Sequence, residues 1–293
     1  MALLNTNYLK TLVAIGVEEK NKFSCQATGF LIGFIAKNSK KPEKKEYYIY
    51  LVTNRHVFEE KRFVDLRFNT KNGSVKIFSQ SLSFDNNEPR WLSHRNKKVD
   101  LALLSVNPEI LQENSIEFNY IPEDIFAYYR NFQNLGIEAG DELYILGFPL
   151  GFSGNLKNFA CVKWGIISRI DKEIIKEEKA FFIDSSIFPG NSGGPVIIRP
   201  EIASLDKTKS VNTSYLIGVV SAYIPFIDKH ISMQTKNVVS IVEENSGLAF
   251  VVPMDYVRQI FNNWKSKKKT LEKSQKEAKQ FINEIREIHE NEK

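Results

Sequence analysis

Cysteine is nearly absent: the 293-residue sequence has two, Cys25 and Cys161, too few for the disulfide framework on which small secreted domains depend. One bridge between them is open, but two free buried thiols in a reducing compartment suit a chain of this size better. Long apolar runs are missing as well. The longest, GFLIGFIA at 29–36, is far shorter than the roughly 20 residues of a membrane-spanning helix. The N-terminus MALLNTNYLKTLVAIGV lacks the basic start, sustained apolar stretch and small-residue cleavage site of a signal peptide. A cytoplasmic protein with no membrane partner is the expectation. There is no H-E-x-x-H, no paired C-x-x-C and no glycine-rich phosphate loop, so neither metal nor nucleotide is expected, and no cofactor. The formal charge of +5 is modest and sits largely in lysine runs such as KNSKKPEKK (37–45) and KSKKK (265–269). No stacking motif accompanies them, and they read as solvated loops rather than a nucleic-acid surface. Histidine is scarce too, with only His56, His94, His230 and His289.

What is present is strand. A composition 42% hydrophobic and 26% charged is that of a globular domain. YLKTLVAIGV (8–17), GFLIGFIA, YYIYLVTN (47–54), RFVDLRFN (62–69), SVKIFSQ (74–80) and DLALLSV (100–106) form one set of short β-branched or aromatic segments. DELYILGF (141–148), FACVKWGIISRI (159–170), KAFFIDSSI (179–187), PVIIR (195–199), YLIGVVSAY (215–223) and LAFVVP (248–253) form a second. Short strands at regular spacing indicate an all-β sandwich or barrel, and two sets of six indicate two six-stranded antiparallel barrels. The expected division is a first barrel over 1–118, a partly helical connection over 119–136, a second barrel over 137–253 and a helix with a charged extension over 254–293. In that last part Val257, Ile260, Phe261 and Trp264 recur at helical spacing after Pro253. Beyond them Leu271, Ala278, Ile282 and Ile285 make a thin stripe, suited to a solvated helix or to a partner. Residues 200–214 and 224–246 read as surface insertions.

The segment FPGNSGGPVI (188–197) gathers three glycines and two prolines around Ser192. Such a bend places backbone in conformations reserved for glycine and proline. A serine hydroxyl becomes a nucleophile only beside a base, and an imidazole base needs a carboxylate to orient it. His56, in YLVTNRHVFEE, ends an apolar strand where a charged helical turn begins; Asp100, in KVDLALLSV, stands at the mouth of another strand. Each alone fits an ordinary structural role. GNSGG also matches the G-x-S-x-G elbow of α/β-hydrolases, but a β-prone PVIIRP follows instead of a helix, and no suitable histidine comes later.

Taken together, TNRHV (53–57), DLALL (100–104), GDELYILGFPLG (140–151), VKWGIIS (162–168), DSSIFPGNSGGPV (184–196), IGVVSA (217–222) and GLAFVVP (247–253) resemble the trypsin-like serine peptidases of the chymotrypsin fold. The bacterial HtrA/Deg-type protease domain is the nearest group, and the resemblance runs over roughly 8–264. It implies a chymotrypsin-like double β-barrel with Ser192 as nucleophile, His56 as general base and Asp100 as the orienting carboxylate. The amides of Gly190 and Ser192 match the oxyanion hole. Ser221, Ala222 and Tyr223 match the edge to which substrate adds as a strand. Ser186, Tyr223 and Ala249 match the border of the primary pocket, an uncharged set that suits a small or apolar side chain before the scissile bond. Asn191 stands where digestive members carry an acid that pairs with a freshly cut N-terminus, so activation by trimming is not expected. The residues after Trp264 are too few for the PDZ domain usual in the HtrA/Deg group. The partners implied are a peptide or protein substrate and a regulatory protein at the C-terminal helix or the insertions. The alternative is a latent or non-catalytic effector whose oxyanion loop a partner must order.

Overall fold

The computed structural model describes residues 4–37, 45–201 and 209–268. The stripe from Leu271 to Ile285 and most of the 37–45 lysine run lie outside the described residues.

Eight strands form the first sheet: β1 (Leu12–Glu19), β2 (Lys22–Lys37), β3 (Glu46–Thr53), β4 (Phe63–Asn69), β5 (Val75–Ser81), β6 (Trp91–Ser93), β7 (Ala102–Ser105) and β8 (Ile121–Pro122). Their order is β5-β4-β1-β2-β3-β7-β6, with β8 parallel to β2. The central strands read as continuous apolar runs because both faces are buried. Leu12, Ala14, Phe30, Ile32, Tyr50, Val52, Leu101 and Leu103 face one core. Their neighbours Val13, Ile15, Leu31, Ile49, Leu51, Ala102 and Leu104 face another. Period-two alternation thus divides these residues between two apolar cores.

The second sheet closes fully. Its strands β9 (Glu142–Gly147), β10 (Cys161–Arg169), β11 (Phe181–Asp184), β12 (Pro195–Ile198), β13 (Leu216–Ile231) and β14 (Val238–Pro253) run β10-β11-β14-β13-β12-β9 around a barrel. The molecule is a chymotrypsin-like double β-barrel with a C-terminal helix. The expected six strands are found in the second barrel, whereas the first is an eight-stranded half-barrel. Between β5 and β6 the chain is joined by an isolated bridge, Ser83 to Pro89, and by bonds such as the Arg90 amide to the Leu82 carbonyl, 2.9 Å. Pro89 has no N–H to extend a ladder.

The surface insertion expected over 224–246 is built of strand: it is the outer half of β13 and β14, paired from Pro225↔Asn245 to Ile231↔Val238. Its β-branched residues form strands without a core beneath them, which is why composition alone suggested an insertion.

The two barrels share one core, in which Leu146, Phe148, Ile197, Leu216 and Val252 meet the first sheet. A helix over 254–268 leaves the second barrel and crosses onto the first. Phe261 stacks on Phe34 with ring centroids 3.9 Å apart, and Trp264 meets Tyr48 and Tyr50 edge-on. Among the described residues no helix is long and apolar enough to cross a membrane.

Candidate active site

Strand β3 delivers His56 into a one-turn helix, α1 (Arg55–Phe58), at the mouth of the cleft. The Asn54 side-chain amide donates to the Asp100 carbonyl at 2.8 Å, tying the end of β3 to the segment entering β7. The His56 amide then donates to Asp100 Oδ1 at 3.0 Å, and His56 Nδ1 lies 2.7 Å from Asp100 Oδ2. An ionised carboxylate only accepts, so the ring proton belongs on Nδ1 and Nε2 is left as the acceptor. Ser221 Oγ, from β13 of the other barrel, donates to the same Oδ2 at 2.9 Å.

Burial alone would push the Asp100 carboxyl up, but the His56 and Ser221 contacts outweigh it, and the group ends below its ordinary value. A depressed acid contributes stability above its unfolded value, about 3.9, and that contribution is lost as pH falls through the folded value. Melting temperatures of the parent protein should therefore decline on acidification more steeply than those of Asp100→Asn. Parallel profiles through the acid range would contradict this.

The serine segment explains its own composition. Phe188 to Asn191 form a turn closed by the Asn191 amide on the Phe188 carbonyl, 3.0 Å, with proline second and glycine third, as a type II turn requires. Gly190 has φ +93°, and a Cβ there would come within 2.2 Å of the Phe148 carbonyl oxygen. The Leu150 amide holds the Pro189 carbonyl at 2.6 Å. Because a peptide unit is planar and trans, fixing that carbonyl sends the Gly190 N–H the opposite way. Among the described residues neither the Gly190 nor the Ser192 amide donates to a protein group.

Thr28, on β2, holds this loop from the first barrel. Its amide donates to the Ser192 carbonyl at 2.9 Å. Its hydroxyl donates to the Gly190 carbonyl at 2.6 Å and accepts from the Phe148 amide at 3.0 Å. Nothing in the sequence singled it out; the available signal was a hydroxyl immediately before the apolar run of β2, where a buried polar group needs partners.

His56, Gly190, Ser192, Ser221, Ala222 and Tyr223 all border one cavity of about 370 Å³. Ser192 and His56 line it together, without a hydrogen bond between their side chains. Two expected pocket residues lie elsewhere. Ser186 is exposed outside the lining, its carbonyl bonded by Lys163. Ala249 is fully buried in the second barrel's core, paired across the sheet with Tyr223, and does not line the cavity. Their places are taken by Gln26, Ile187, Phe188, Pro189, Pro225 and Glu243. Glu243 adds a carboxylate to a cavity expected to be uncharged, and it accepts from the Tyr223 hydroxyl at 2.8 Å. It was missed because it comes from the outer half of β14. Asn191 is fully buried, and its Oδ1 accepts from the Phe188 amide at 3.2 Å; it serves the turn, not an ion pair.

Residues 27–199 match the model of the trypsin-like peptidase domain. The chain belongs to this family. An alignment 99 residues long, covering 31% of this trypsin-like peptidase domain protein, is 32% identical to a serine protease DegP homolog of Plasmodium falciparum. That stretch spans about a tenth of the relative's length, 11%. Similar solved structures include the MamO protease domain of Magnetospirillum magneticum in its apo form, with TM-score 0.46, 14% identity and coverage of 86% of this chain and 96% of that one. Human heparin binding protein is similar at TM-score 0.45 and 13% identity, over 89% and 95% of the two chains.

Proposed function

We propose that this trypsin-like peptidase is a serine endopeptidase acting through Ser192, His56 and Asp100. The observation that carries the reading is the pair of unpaired amides, Gly190 and Ser192, bordering the same cavity as a histidine already oriented by a carboxylate. His56 Nε2 takes the Ser192 proton as Oγ attacks the substrate carbonyl. Asp100 stabilises the imidazolium that forms, and the two amides receive the oxyanion. Collapse of the tetrahedral species, with His56 returning the proton to the leaving amine, yields an acyl-enzyme that water hydrolyses. Ser221 to Tyr223 pair with the substrate backbone. Glu243, on the cavity wall, disfavours acidic side chains near the scissile bond.

The unpaired thiols of Cys25 and Cys161 suit action in the cytoplasm. Burial pushes the Cys25 thiol up to about 12, which keeps it out of thiolate chemistry.

A latent or binding-only effector is the second reading, favoured by the missing Ser192–His56 bond, although such bonds are often loose before substrate arrives. A fluorophosphonate probe with peptide mapping decides. Modification at Ser192 in the isolated protein is the expected result. No labelling without a partner would favour latency, and labelling at another serine would overturn the assignment.

A further inference from the structure

The strand that forms one wall of the cleft does not stop there. β12 pairs with β13 only as far as Val219, while β13 continues to Ile231 with β14 on its other side. From Ser221 outward, one edge of β13 has no neighbouring strand among the described residues. An isolated two-stranded ribbon is marginal in water, and a long edge with apolar side chains is a form that proteins usually suppress. Here Phe226, Ile227, Ile231, Val239 and Ile241 are all more than half exposed.

Pro225 shows which backbone groups face the open side. Proline cannot donate to a ladder and sits within a strand only where its nitrogen faces the free edge. By alternation, Ile227 and Lys229 turn their N–H and C=O groups outward as well. Pro225 also borders the cavity, as does Glu243, the partner of Ile227 across the ribbon. The open edge and the cleft are therefore one continuous surface.

We propose that this edge is an extended exosite for the substrate. A polypeptide seated at Ser192 continues along Pro225 to Ile231 as an added antiparallel strand. This rests on the protease reading for the position of the scissile bond. Both existing neighbours of β13 are antiparallel to it. A third in the same sense runs its N-terminal flank outward along the ribbon. The eight residues from Ile224 to Ile231 reach about 25 Å at roughly 3.3 Å per residue. The preferred substrate is thus an unfolded or extended chain with β-branched residues well upstream of the cut, rather than a short peptide.

The test uses the full chain carrying Ser192→Ala, so that binding is read without turnover. The probes are fluorescein-labelled alternating Thr-Val peptides with a C-terminal alanine, one of about twelve residues, enough to span cleft and ribbon, the other its last four. Anisotropy should show the long peptide binding at least about tenfold tighter, the effect of roughly 1.4 kcal/mol. Replacing Asp228–Val242 by Asn-Gly, which joins the paired Ile227 and Glu243 through a two-residue turn, should erase that gain and leave the short peptide unaffected. Lys229→Pro removes one outward donor without touching the β14 ladder, should reduce the gain, and carries the test if the shortened ribbon does not fold. Equal affinity for the two peptides overturns the exosite. So does a gain that is undiminished in the variants, or a ribbon that pairs two copies of the chain by size-exclusion chromatography. Length-dependent binding in a protein that cleaves no peptide would instead sink the protease reading and leave the exosite standing.

Discussion

Ser192→Ala should lower kcat on any cleavable peptide by about 10⁶-fold, leaving the roughly 10³–10⁴ acceleration over water that positioning and oxyanion donors supply in triad-deficient proteases. Its effect on stability should be close to nil. Ser192 Oγ makes no hydrogen bond among the described residues, so truncation leaves no partner unsatisfied. The segment is held through main-chain groups, the Ser192 carbonyl on the Thr28 amide and the Gly193 amide on the Val220 carbonyl, each at 2.9 Å. A change within about 0.5 kcal/mol in denaturant unfolding is the expected companion result. Residual activity near the parent's would remove Ser192 from the mechanism, while a large loss of stability would show that the hydroxyl has a structural partner.

That contrast between main-chain and side-chain roles also explains what the sequence made legible. Glycine and proline positions are read from backbone geometry, so FPGNSGG announced its turn before any fold was known. His56 follows the end of one apolar strand and Asp100 precedes the start of another, but only the resemblance to the trypsin-like peptidases joined them to Ser192. Strands buried on both faces, such as β1 and β2, were recognisable as apolar runs, but not which core each residue faces. What stayed hidden depends on contacts between distant segments. Ser221, expected only to border substrate, also bonds Asp100 across the cleft. Glu243 reaches the cavity because β13 and β14 run on as a ribbon. Arg67, on an apparently alternating strand, is buried and donates to the carbonyls of Gly154 and Asn155 on the loop after β9. No local pattern encodes such partners.

Thr28 is the case with the largest consequence after the serine itself. It touches no reacting atom, yet its hydroxyl joins the Gly190 carbonyl to the Phe148 amide, and in the mechanism proposed above Gly190 supplies one of the two oxyanion amides. Valine has nearly the same shape without the hydroxyl. Thr28→Val therefore leaves a buried carbonyl and a buried amide unpaired, at about 1–3 kcal/mol each. Gly190 would lose the restraint on its carbonyl, with the Leu150 bond to the Pro189 carbonyl and the Asn191 bond to the Phe188 carbonyl remaining. Misaiming one oxyanion donor costs about 10²–10³ in kcat in a protease where such a donor was removed, and a comparable loss is expected here. Because the donor acts on charge that develops in the transition state, KM should change little. Thr28→Ser keeps the hydroxyl and should recover most of the rate. A purely structural role would give a different pattern: both variants would lose stability, and kcat measured well below melting would be unaffected in each.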